Sequence, residues 1–203
     1  MSPISNKMFI KSYWNYFIEL EEQLISTKRF VDFDKSNNST FSIEYLKLLQ
    51  ATCSEIDVVA KIIAEYKDST FKSLDNKNIQ KWGLVIQNAY PNIGNISAFF
   101  NNDYNLTPWY NWKYEIYQDK ENRTRYRLVQ GCETPSWWTA YNKVKHERTS
   151  QYKEKTNYVR ANLENLISSM AALFILEQLF LDELNNTESS AIYTPSKLFV
   201  RQQ

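Results

Sequence analysis

Glycine, proline, cysteine and histidine are all scarce in this chain of 203 residues, numbering 3, 5, 2 and 1. So few glycines leave no material for a phosphate-cradling loop or a dinucleotide fingerprint, and neither motif occurs. The shortage of turn formers, beside an aromatic content of 15%, argues against a turn-rich all-β fold and against disorder. Cys53 and Cys132 stand far apart in segments of different predicted type, so a disulfide framework is not expected and a reducing cytoplasm is the default. With His146 the sole histidine, a Cys/His zinc site cannot be assembled, and no carboxylate-rich loop suggests calcium. Neither a metal nor another cofactor is expected. A serine triad would have to use His146 as its base, and no nucleophile elbow accompanies it. The longest uninterrupted apolar run, Met170 to Leu176, is too short to span a bilayer, and Lys7, Lys11 and Glu19 interrupt the N-terminal apolar residues, so no membrane partner is expected.

What the chain does contain is helical periodicity. Ile10, Trp14, Phe17 and Leu24 form one stripe over 6–27. A polar linker over 32–40 leads to Ser42, a candidate N-cap for a helix over 43–68. There Leu46, Leu49, Cys53, Ile56, Ala60 and Ile63 alternate steps of three and four, the seam of a helix packed lengthwise on another. Glu55 falls within a neighbouring apolar stripe, where a carboxylate sits at an interface edge or is paired in a polar pocket. The pattern changes over 69–133: a short helix over 78–90, then two short strands around a polar turn at 112–117 and 123–129. Trp82, Trp109 and Trp112 in this stretch are too apolar to leave in water. A long helix over 156–184 becomes apolar all round at Met170 to Leu176, the mark of a central helix. The reading is an all-α, up-and-down four-helix bundle: one domain over 1–184 with an inserted short helix and β-hairpin-like excursion at 69–133. A tail at 185–203 either docks or frays.

Candidate chemistry collects in PSWWTAYNKVKHER, residues 135–148. Thr134 suits an N-cap and Pro135 a first helical position, so a helix is predicted to start at Pro135. Asn142 and His146, one turn apart, share a face. Lys143, Lys145 and Arg148 surround them, while Trp137, Tyr141 and Val144 fall on an apolar side. The net charge is only +1, yet 119–160 holds ten Lys or Arg against five Asp or Glu, an excess of +5 that leaves −4 elsewhere. Such asymmetry points to an anionic partner near this helix, or to a solvated charged face. An imidazole titrating near neutrality can move a proton to or from a ribose hydroxyl or leaving oxygen, and nearby cations can stabilise charge developing on a phosphate.

The segment YNKVKHER, followed after a loop by ANLENLISSMAALFILEQLF, resembles the HEPN family of nucleotide- and RNA-binding domains. The resemblance implies an all-α, usually dimeric domain, many of whose relatives are metal-independent RNases of toxin–antitoxin or phage-defence systems. It implies a homodimer, an RNA or nucleotide ligand, and an antitoxin or other defence-system protein as partner. The family motif is an arginine, commonly followed by a polar residue, with a histidine four to six residues beyond the arginine. Here His146 matches the histidine and Asn142 the polar residue, making these the implied catalytic pair, but Tyr141 holds the arginine position. Lys143, Lys145, Arg148 and Tyr141 become the substrate-binding candidates, with Glu55 in support. Two functions remain open: an RNase using His146 as general acid or base, and a non-catalytic interaction or dimerisation module in which the His146 cluster is structural.

Overall fold

A computed structural model describes residues 4–152, 154–187 and 191–202. The first helical run comprises α1 (Asn6–Phe9), a π-helical turn (Ile10–Trp14) and α2 (Asn15–Thr27), and it buries Phe9, Trp14, Phe17, Leu20 and Leu24 along one stripe. Ser42 caps α3 (Ile43–Lys67) by accepting a hydrogen bond from the Tyr45 amide at 3.0 Å, and the seam from Leu46 to Ile63 is buried. Asn78 caps α4 (Ile79–Ala89) through the amides of Gln80 and Lys81.

Beside α3 lies α6 (Leu163–Thr187), the centre of the molecule. Its start is held by Asn162, whose Oδ1 accepts from the Asn165 amide at 3.0 Å, and by the Leu163 amide donating to the Thr40 carbonyl at 2.9 Å. From Ser169 to Glu177 every side chain is buried. By length and hydropathy α6 is able to cross a membrane, but 72% of its most apolar window is buried within this fold, as expected of a core helix. The expected long helix over 156–184 therefore starts later, after a 3-10 turn (Asn157–Arg160), and the loop at 149–155 contains strands β5 (Gln151–Tyr152) and β6 (Lys155–Thr156), with Lys153 outside the described residues.

The chain is not all-α, and the expectation of an up-and-down four-helix bundle is overturned. Strands β1 (Ser97–Phe100), β2 (Tyr104–Leu106) and β7 (Phe199–Gln202) form an antiparallel sheet in the order β2-β1-β7. A separate hairpin pairs β3 (Tyr114–Gln118) with β4 (Thr124–Leu128), in register Tyr114 with Leu128 through Gln118 with Thr124. The physical reason is non-local pairing. β1 is four residues long and its second neighbour lies about a hundred residues away, in the stretch read as a tail.

That stretch, of which residues 188–190 and 203 lie outside the described residues, is anchored at Glu21. The buried Glu21 carboxylate accepts from the Lys197 amide at 2.9 Å, the Leu198 amide at 3.0 Å and the Ser196 hydroxyl. β7 then inserts Phe199 among Phe17, Phe100 and Phe174, at centroid distances of 6.3, 5.2 and 5.6 Å.

The segment between α4 and α5 (Ser136–Glu147) packs through its tryptophans. Trp82, Trp109 and Trp112 are all buried, the Trp109 and Trp112 rings 4.6 Å apart. The Trp109 indole donates to the Ala172 carbonyl in α6 at 3.2 Å, and the Trp137 indole to the Pro108 carbonyl at 3.0 Å. α5 is thereby fixed at its first turn to the core.

Candidate functional site

α5 starts one residue later than its sequence suggests. Pro135 is the N-cap, without a side-chain hydrogen bond, and the Thr139 amide donates to the Pro135 carbonyl at 3.0 Å. Proline serves here because its fixed φ admits the chain to the helix and no N–H is lost from the ladder. The core face buries Trp137, Trp138, Ala140, Tyr141 and Val144. Trp138 meets the edge of Trp82 at 5.8 Å and tilts over Tyr141 at 5.3 Å.

Asn142, Lys143 and His146 lie on the side away from that face, and Lys145 and Arg148 at its edge. Lys145, His146 and Arg148 are exposed, and Asn142 and Lys143 half-buried. Lys143 is bound to Glu147 at 2.8 Å, one turn on. That ion pair, more than the lesser influence of His146, holds the Glu147 carboxyl below the usual range. Arg148 folds back so that its Nε donates to the Val144 carbonyl at 3.4 Å, a long contact that leaves the rest of the guanidinium outward. Lys145 donates to the Tyr141 hydroxyl at 3.1 Å and places its ammonium 5.2 Å from the ring centroid. Tyr141 is therefore a buried tyrosine that holds a cation. Its phenol fixes the lysine by a hydrogen bond and by the electrostatic attraction of the ring face.

No hydrogen bond or ion pair joins His146 to any other group among the described residues. The helix end beneath it is well fastened. The Glu147 carbonyl accepts from the Ser150 amide at 3.0 Å and from Asn157 Nδ2 at 2.9 Å, and Asn157 Oδ1 accepts from Arg160 at 3.0 Å. Lys155 on β6 is exposed as well. What this surface can do chemically is neutralise and hydrogen-bond anions, with cations at a helix C-terminus, where the backbone dipole favours them.

Glu55 is not brought to this group. It is half-buried on α3, where burial pushes its carboxyl up to about 6, and its electrostatic neighbour is Glu177 on α6. Glu177 is fully buried, neither of its oxygens has a hydrogen-bond partner among the described residues, and its carboxyl lies well above the usual range, first from burial and then from Glu55. Sequence reasoning passed over Glu177, although a lone carboxylate directly after the apolar run Met170 to Leu176 was a visible signal.

It also passed over a cleft of about 490 Å³ at the other end of α5, lined among others by Asn88, Asn95, Tyr110, Asn111, Trp112 and Lys113. These residues come from the end of α4, the 3-10 turn at Ile93–Asn95 and the corner at 110–113, so nothing in their local spacing announced them. No known protein family, curated protein or solved structure matches the chain.

Proposed function

We propose that the exposed end of α5 is a phosphate-binding face for RNA or a phosphate-bearing nucleotide, in a cytoplasmic, HEPN-like binding module. The observation that carries this reading is the Tyr141–Lys145 pair, which restores by hydrogen bond the cation that the sequence lacks at the motif position. Asn142 and His146 share a neighbouring face one turn apart, Arg148 follows at the helix end, and Lys155 on β6 is exposed as well. The interaction-module alternative asks His146 to hold the architecture together, and its exposed imidazole, with no hydrogen bond or ion pair among the described residues, supports that reading less well. Cleavage would require a second proton-transfer group facing His146. A two-fold copy bringing its own His146 is the source that the HEPN resemblance suggests, together with a role in a toxin–antitoxin or phage-defence system.

The test is fluorescence anisotropy with labelled single-stranded RNA in chelator, titrated from low to moderate salt. Wild type should lose affinity steeply with salt as counterions are released. Lys145→Ala should weaken binding for every sequence and lower the salt slope by about 1, whereas His146→Ala should change affinity little. Gel analysis of the same mixtures reads cleavage, which His146→Ala should abolish if the paired arrangement exists. Wild-type binding that is absent, or insensitive to salt and to Lys145, would sink the proposal.

A further inference from the structure

At the opposite end of α5 the chain does something that core packing does not require. Between the buried Trp109 and Trp112 it turns Tyr110 into solvent, at 70% exposure, and passes through Asn111 with a positive φ of 54°. The corner is rigidly fastened. Trp109 is bonded into α6, the Tyr110 amide donates to the Thr107 carbonyl at 3.0 Å, and the Asn111 carbonyl accepts from the Glu133 amide at 2.9 Å. Asn111 Nδ2 donates to the Gly131 carbonyl at 2.7 Å. An aromatic ring presented from a fixed backbone has only two side-chain torsions left to lose when something stacks on it.

Tyr110 overhangs the cleft of about 490 Å³, within the roughly 300–1,000 Å³ usual for small-ligand sites. The lining contains amides, a lysine and aromatic rings, and no carboxylate. Gln87 is spent on structure, donating to the Trp112 carbonyl at 2.9 Å and accepting from the Tyr114 amide at 2.9 Å. Asn88, Asn95 and Lys113 are different: all three are exposed, and no hydrogen bond or ion pair engages their side chains among the described residues. In the wall, Trp112 is buried and its indole N–H has no acceptor among the described residues. Amides that offer both donor and acceptor, a stacking ring and an uncompensated cation suit a flat, polar-edged, anionic ligand. A neutral sugar would find no use for the lysine.

We infer that this cleft is a base-recognition pocket for a nucleotide: the base stacks on Tyr110, Asn88 and Asn95 read its edge, and Lys113 meets its phosphate. The inference rests on the phosphate-binding reading of α5 and extends it. The Tyr110–Asn111 corner also borders Pro135 and Ser136 at the start of α5, a 12-residue helix about 18 Å long whose far end carries the phosphate face. A short single-stranded RNA would engage both.

The experiment titrates the full chain with the four nucleoside 5′-monophosphates, read by tryptophan fluorescence, and with a labelled RNA oligonucleotide, read by anisotropy. Tyr110→Ala should weaken both ligands about 5- to 100-fold, and Tyr110→Phe should bind like wild type. Tyr110 is exposed, so both variants should retain the near-ultraviolet circular dichroism of the parent. Lys145→Ala should weaken the oligonucleotide and leave the monophosphates unchanged. If the α5 reading alone fails, oligonucleotide binding will depend on Tyr110 and not on Lys145, and the pocket stands. Wild type binding none of the four monophosphates, or Tyr110→Ala binding them unchanged, overturns the pocket. So does binding of neutral oligosaccharides in preference to nucleotides.

Discussion

Replacing Glu177 with methionine should make the protein more stable, and increasingly so as the pH rises. The carboxyl is fully buried and neither oxygen is hydrogen-bonded, so even its neutral form carries a desolvation penalty of about 1–3 kcal/mol. Ionisation adds to that. The folded-state pKa lies well above the ordinary glutamate value of 4.5, so between 4.5 and the folded pKa the native state retains a proton that the unfolded chain has released. In that window stability falls by about 1.4 kcal/mol per pH unit, and it is fully recovered only below the unfolded pKa. Methionine is close to glutamate in length and has no polar head to desolvate. The expected gain is about 1–3 kcal/mol at pH 4.5, from the unpartnered oxygens, and grows by about 1.4 kcal/mol for each pH unit above that until the folded pKa is passed. It should shrink steadily on acidification to pH 4.5. Glu55→Gln should act in the same direction but by less than about 1 kcal/mol, because solvent screens a half-buried group. Urea unfolding of wild type and both variants at closely spaced pH values is the assay. A gain from Glu177→Met that is flat with pH, or a loss, would refute the reasoning.

Gly83→Ala should destabilise by about 1–3 kcal/mol, since a Cβ there would lie 2.6 Å from Trp112 Cζ2. Helix propensity alone would favour alanine by about 1 kcal/mol, so denaturation showing equal or greater stability would mean that Trp112 can yield. Glu21→Gln should cost about 1.5–3 kcal/mol, because an amide group would face backbone donors that a carboxylate now satisfies. Trypsin should then cut after the exposed Lys197 faster than in wild type, and an unchanged rate would count against the anchor.

The helices were legible where periodicity was long. The seam of α3 from Leu46 to Ile63, the Ser42 cap and the apolar stretch of α6 all followed from spacing, because burial on one helix face is a local property of sequence. The β3–β4 hairpin was visible for the same reason: two runs and the turn between them are contiguous. The sheet was not, since β1 and β7 are short and acquire strand conformation from each other across about a hundred residues. At the site, sequence placed Asn142, Lys145 and His146 together because one helix carries them. It drew Glu55 toward that group, but a stripe position fixes a helix face and not its neighbour, and the neighbour is Glu177. The link from Tyr141 to Lys145 was available as an i, i+4 relation and went unread.

The antiparallel sheet also sets an order of events in folding. β1 meets β2 across a three-residue turn, so that edge can close as soon as the segment collapses. Its other edge waits for Phe199 to Gln202, separated from it by α5 and α6. Until then the pocket between Phe17, Phe100 and Phe174 is open and β1 presents unpaired amides. Closing so long a loop is entropically slow relative to local helix formation. Completion of the sheet is therefore expected to lag behind the helices, and the Glu21 carboxylate, by holding the backbone at 197–198, fixes the segment that completes it.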